Sequence, residues 1–187
     1  MMEKVFSIPN DTSRSQFMYW LFRIDMKYDI LARIGMSTGL RISDILALRV
    51  SDISQEIKIV EKKTGKSNVV KLSRALLDHV LWYVKTYPLS DGDALIPSSH
   101  THRDKPLSRT QAYRVLSSVG CQIGLPHVGT HSMRKTFAQD LFVKSESISR
   151  VQEALHHKYP ETTLTYLTDK TFSEISKMIL GPLGLDT

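Results

Sequence analysis

The sequence predicts a mainly α-helical domain with one small antiparallel β-sheet, an α+β fold. Three observations predict it. Apolar residues recur at helical spacing over most of the chain, with Leu76, Leu77, Val80, Leu81 and Val84 on one face as the clearest set. One pair of short β-type runs, Ile57 and Ile59 followed by Val69, Val70 and Leu72, flanks the turn Lys63-Thr64-Gly65-Lys66. The 187 residues, of which 41% are hydrophobic and 24% charged, suffice to bury one apolar core.

Taken in order, residues 15–38 carry Leu21, Ile24, Ile30, Leu31 and Ile34 at mostly helical spacing and predict one or two helices, stopped at Thr38-Gly39. Ile42, Ile45, Leu46 and Leu48 then fit a short helix that closes before Asp52, with Arg41 at its N-terminal junction. The β-hairpin follows, with basic residues at its tip. After the helix that ends near Pro88, the stretch from Pro88 to Pro106 is the loosest region. Ser108 and Gln111 form a capping box ahead of Tyr113, Leu116 and Val119. Further helices are expected over 131–143, 148–155 and 171–179.

Composition narrows the function. Against 19 Asp and Glu stand 25 Lys and Arg, a net charge of +6 that favours a polyanionic partner. The single cysteine, Cys121, allows no internal disulfide and no multi-cysteine zinc site, and it is expected in buried packing. No apolar run has the length of a signal peptide or a membrane span, so a cytoplasmic protein is expected. No repeat or Gly/Ser-rich linker marks an internal boundary. Residues 1–187 are therefore expected to form a single domain, with no separate N-terminal DNA-binding domain evident.

Three segments carry chemistry. Thr38-Gly39-Leu40-Arg41-Ile42-Ser43-Asp44 comes first, His131-Ser132-Met133-Arg134 second, and Leu155-His156-His157 leading to Tyr166 third. Arginine guanidinium presents a planar fork to non-bridging phosphate oxygens and stays charged at any working pH, which suits Arg41 and Arg134 to clamping a phosphate. His131, three residues before Arg134, is expected on the same helix face and is the candidate general base. Between Lys58 and Arg74 lie six basic residues and one acidic, a run suited to contact with a phosphate backbone.

In this order the three segments resemble the conserved boxes of the tyrosine recombinases, also called the phage integrase family, and the resemblance runs from about residue 15 to about residue 180. It implies the catalytic-domain fold of that family and a DNA strand transfer through a 3′-phosphotyrosyl link. Tyr166 would be the nucleophile, Arg41 and Arg134 the phosphate clamp, His131 the base, and His157 a hydrogen-bond donor to the phosphate. Lys63 would protonate the leaving 5′ oxygen, with Lys62 and Lys66 as competitors and as DNA contacts. Asp44 would brace a catalytic side chain, its plainer reading being a surface charge on a helix. No cofactor and no metal are implied.

The expected partners are double-stranded DNA, further copies of the chain in a homo-tetramer on DNA, and accessory DNA-bending proteins. A helix around Phe172, Ile175 and Ile179 would dock on a neighbouring subunit or pack on its own domain. Two departures from the family pattern stand out. Only about 35 residues precede the first box, which fits either a trimmed catalytic domain or a minimal recombinase, and His156 stands where the family usually has glycine. Rival readings are a type IB topoisomerase-like strand transferase, a catalytically inactive DNA-binding relative, and a phosphodiesterase of another fold.

Overall fold

Asn10 sets the start of the first helix: its side chain accepts the Ser13 N–H at 2.8 Å, so α1 runs Asp11–Ile24, four residues earlier than apolar spacing alone suggests. Asp25 ends α1 and caps α2 (Met26–Thr38) by accepting from Lys27 N–H at 3.1 Å, which makes two helices of the stretch. The computed structural model describes residues 5–60, 65 and 67–167. Lys62, Lys63 and Lys66, and the expected helix at 171–179, lie outside them.

α3 is a single turn, Ile42–Ile45, shorter than expected, and a 3₁₀ turn, Val50–Asp52, follows it. Strands β1 (Glu56–Val60) and β2 (Ser67–Lys71) form an antiparallel pair in the register Ile57 with Val70 and Ile59 with Asn68. Alternation turns Ile57 and Ile59 inward while Glu56 and Lys71 stay out and pair at 3.0 Å. α4 spans Arg74–Thr86, α5 Arg109–Gln122, α6 Ser132–Ser145, α7 Ile148–Ala154 and α8 Pro160–Leu167. Mostly helical with one two-stranded antiparallel sheet, the fold class is the one the sequence predicts.

The chain divides into two compact units, Met1–Phe137 and Ala138–Thr187. In the first, Phe17, Leu21, Leu31, Ile34, Ile45, Val80 and Leu116 are among the side chains withdrawn from water. Each such burial stabilises by about 1.5–3 kcal/mol before the cost of ordering is counted. Asp29, also buried, accepts from Arg33 Nε at 2.8 Å and lies 2.9 Å from His79 Nε2, joining α2 to α4.

The stretch from Pro88 to Pro106 is a correction to the sequence reading. Ala94, Leu95 and Ile96 are buried, and backbone bonds run from Leu95 N–H to Leu48 carbonyl at 2.9 Å, Ala94 to Arg103 at 2.8 Å and Leu107 to Ile96 at 2.8 Å. Isolated bridges of this kind leave no periodic pattern to detect. Cys121 is likewise exposed, not buried, because the adjacent Val119 and Gly120 take the inward face at the end of α5.

Candidate active site

The first box turns on Gly39. It ends α2 at φ 67°, in the left-handed region, and a Cβ there would lie 2.3 Å from the Phe137 ring. Both the backbone and the space demand glycine. One residue on, the chain is extended at Arg41, which stands at the N-cap of α3, the junction the sequence predicts. Asp44 is buried rather than a surface charge; its backbone N–H donates to Arg41 carbonyl at 2.9 Å and its carboxylate accepts from Ser43 Oγ at 3.4 Å.

The second box is pinned to the first. Arg134 is buried and its Nη1 donates to the Gly39 carbonyl, a charge-assisted bond that ties α6 to the turn before Arg41. A Cβ on Gly35 would lie 2.8 Å from Met133 Cβ, so α2 and α6 approach at close range. Ser132 accepts from Gly129 N–H at 2.9 Å, and Thr136 Oγ1 both donates to Ser132 carbonyl and accepts from Ile8 N–H, each at 2.9 Å. These bonds hold the entry to α6.

His131 is not on the face of α6 but one residue before it, where its carbonyl accepts Lys135 N–H at 3.0 Å. The i, i+3 relation to Arg134 survives because an N-cap residue already sits on the first turn. Burial, and then the charges of Arg109, Arg134, Lys135 and Arg41, hold the His131 imidazole below its ordinary pKa. Four cations thus act on one imidazole. Neither Lys135, buried beside Arg134, nor Arg109 was singled out in the sequence, where each looks like an ordinary helix charge.

The second unit holds the remaining pair. α7 ends at Ala154, and His157 N–H returns to Gln152 carbonyl at 3.0 Å while Gln152 Nε2 donates to His157 carbonyl at 3.2 Å. His157 Nδ1 lies 3.1 Å from the hydroxyl of the buried Thr163, and its ring lies edge-on to that of Tyr166, centroids 5.0 Å apart. Tyr166 is carried by α8, on the same side as Thr163 three residues earlier. Thr163 escapes sequence reading because a threonine in a Thr-Thr-Leu-Thr run carries no spacing signal of its own. His156, where the family usually has glycine, has φ 50°, in the left-handed region that favours glycine.

Comparison with known proteins gives the family and the fold. The chain matches the phage integrase family over residues 13–172. It is 34% identical over 152 residues to the "Probable integrase/recombinase YoeC" of Bacillus subtilis, covering 80% of this chain and 82% of that one. With the tyrosine recombinase XerA of Pyrococcus horikoshii it shares 28% identity over 131 residues, 68% of this chain and 45% of that protein. The chain therefore spans about half the length of the Xer relatives it matches. A crystal structure of XerA recombinase superposes with a TM-score of 0.77 at 17% identity, covering 98% of this chain and 67% of the other. XerH recombinase bound to its palindromic difH substrate gives 0.70 at 23%, over 95% and 54%.

Fold and site together define the class, a tyrosine recombinase catalytic domain. The chain belongs to the phage integrase family. Among the described residues no helix is long and apolar enough to cross a membrane.

Proposed function

We propose that this chain is a site-specific recombinase that cleaves and rejoins double-stranded DNA through a 3′-phosphotyrosyl intermediate. The observation that carries the proposal is the joining of the first two boxes, where Arg134 Nη1 donates to the Gly39 carbonyl two residues before Arg41 and both arginines lie close enough to act on His131. That Xer relatives are recombinases, and that XerH has been seen on its difH substrate, supports DNA as the partner.

In the first half-reaction Tyr166 Oη attacks phosphorus and loses its proton to His131, whose lowered pKa keeps it unprotonated and ready at neutral pH. The bond from phosphorus to the 5′ oxygen breaks as the tyrosyl bond forms, and the departing oxygen takes a proton from Lys63. Arg41 and Arg134 stabilise the charge that builds on the non-bridging oxygens, while Asp44 braces the first box. His157 donates a ring N–H to the phosphate, its Nδ1 lying 3.1 Å from the Thr163 hydroxyl that helps hold the ring. In the second half a 5′ hydroxyl of the partner strand reverses each step, so the phosphodiester bond energy is kept in the protein link. A homo-tetramer on DNA, with accessory DNA-bending proteins, would bring the two sites together.

The test uses nicked suicide duplexes tiled across the DNA that flanks the gene. The wild-type chain is expected to form a covalent adduct with one of them. Tyr166→Phe is expected to bind that duplex without forming it, and an adduct in that variant would sink the assignment.

A further inference from the structure

α5 and the loop leading into α6 run side by side. Towards the end of α5 a Cβ on Gly120 would lie 2.6 Å from Val128 Cβ, and earlier in the helix Tyr113 Cε2 lies 3.2 Å from where a Cβ on Gly129 would be. Moving back along α5 thus moves forward along the loop. Arg109 lies four residues before Tyr113, on the same face of α5, so the next step of this course brings it alongside His131. Its side chain is in the exposed first turn, after the N-cap Ser108, and among the described residues no carboxylate pairs with it.

We propose that Arg109 is a phosphate-binding and positioning residue of the cleavage site, its guanidinium taking a DNA backbone phosphate beside His131. The proposal rests on the reading of the chain as a DNA recombinase. The charged groups acting on His131 are Arg109 from α5, Arg134 and Lys135 from α6, and Arg41 from the junction of α2 and α3, all cations. Gathering like charges is unfavourable in the free protein, and an anionic backbone is the ligand that relieves it. The first-turn N–H groups of α5, a helix of 14 residues, add partial positive charge at the same place. Of the four, Arg109 has the largest effect on His131 after burial itself. It therefore contributes twice, holding DNA and disfavouring the imidazolium.

The test compares the full chain with Arg109→Gln, Arg109→Lys and, as a comparison on exposed α1, Arg23→Gln. Binding to a short random-sequence duplex is followed across a salt series. Arg109→Gln is expected to lower the slope of log affinity against log salt by about 0.9, one phosphate's worth, with Arg109→Lys and Arg23→Gln keeping the wild-type slope. On the suicide duplex, Arg109→Gln is expected to move the acid limb of adduct formation to higher pH, because a cation that opposes His131 protonation is gone. An unchanged slope or an unmoved limb in Arg109→Gln, with wild type binding normally, overturns the role of Arg109 alone. Failure of the wild type to bind any duplex overturns the recombinase reading beneath it.

Discussion

At the scale of single residues, His131 and His156 show how much a position decides. A general base must be unprotonated, and burial together with four cations lowers the His131 pKa below its ordinary value of about 6.5. The sign is fixed: each cause disfavours imidazolium, so the base persists to lower pH than a free histidine would. Single-turnover adduct formation, followed between about pH 5 and 8, is expected to hold its rate through 6.5 and to fall only below it. An acid limb above 6.5 would remove His131 from the role of base. His156 pays a left-handed backbone for its place, which for a residue with a Cβ costs about 1–2 kcal/mol. Glycine's larger unfolded-state entropy returns part of the gain, so His156→Gly is expected to stabilise by about 0.5–1 kcal/mol in urea unfolding. A loss of stability would mean that the imidazole itself makes a contact worth more than the strain.

Among the elements, the decisive joint is the turn between α2 and α3. Gly39 shapes it, Phe137 fills the space a side chain would need, and Arg134 binds its carbonyl, so one glycine registers Arg41 and Arg134 to each other. Gly39→Ala combines left-handed strain with overpacking and is expected to cost about 2–4 kcal/mol, read as a lower denaturation midpoint. Any folded fraction is expected to bind DNA better than it cleaves it. A variant as stable as wild type would show that the joint tolerates a shift in α6.

Legibility also differs by element. The helices up to α7, the hairpin and the place of Arg41 at a helix start were readable, because apolar period and glycine punctuation are local signals; α8, which carries Tyr166, was not among the helices expected. The buried loop around Leu95 was not readable, since its order comes from single backbone bonds, from Leu95 to the distant Leu48, Ala94 to Arg103 and Leu107 to Ile96, that follow no period in the sequence. The N-cap position of His131 was missed for a related reason: Ser132 and Thr136 fix the helix entry through partners at Gly129 and Ile8. Arg109 became visible only through packing, since the Gly129 contact with Tyr113 is what turns that face of α5 towards the second box.

For the whole molecule, the sequence boxes fall on two compact units. Arg41, His131 and Arg134 belong to the first, His157 and Tyr166 to the second, and α6 contains the boundary. The residue set was expected from unusual types at fixed spacings, two arginines, two histidines and a tyrosine in family order. The choice among Lys62, Lys63 and Lys66 was not legible, because three lysines around one turn share a composition and a reach. In the proposed reaction one tyrosine becomes covalently joined to the 3′ end of cleaved DNA. Its most direct measurement is mass spectrometry of the trapped adduct after proteolysis. A 3′-phosphotyrosyl nucleotide is expected on the peptide that carries Tyr166; attachment at Tyr159, at any other residue, or through a 5′ phosphate would overturn the mechanism.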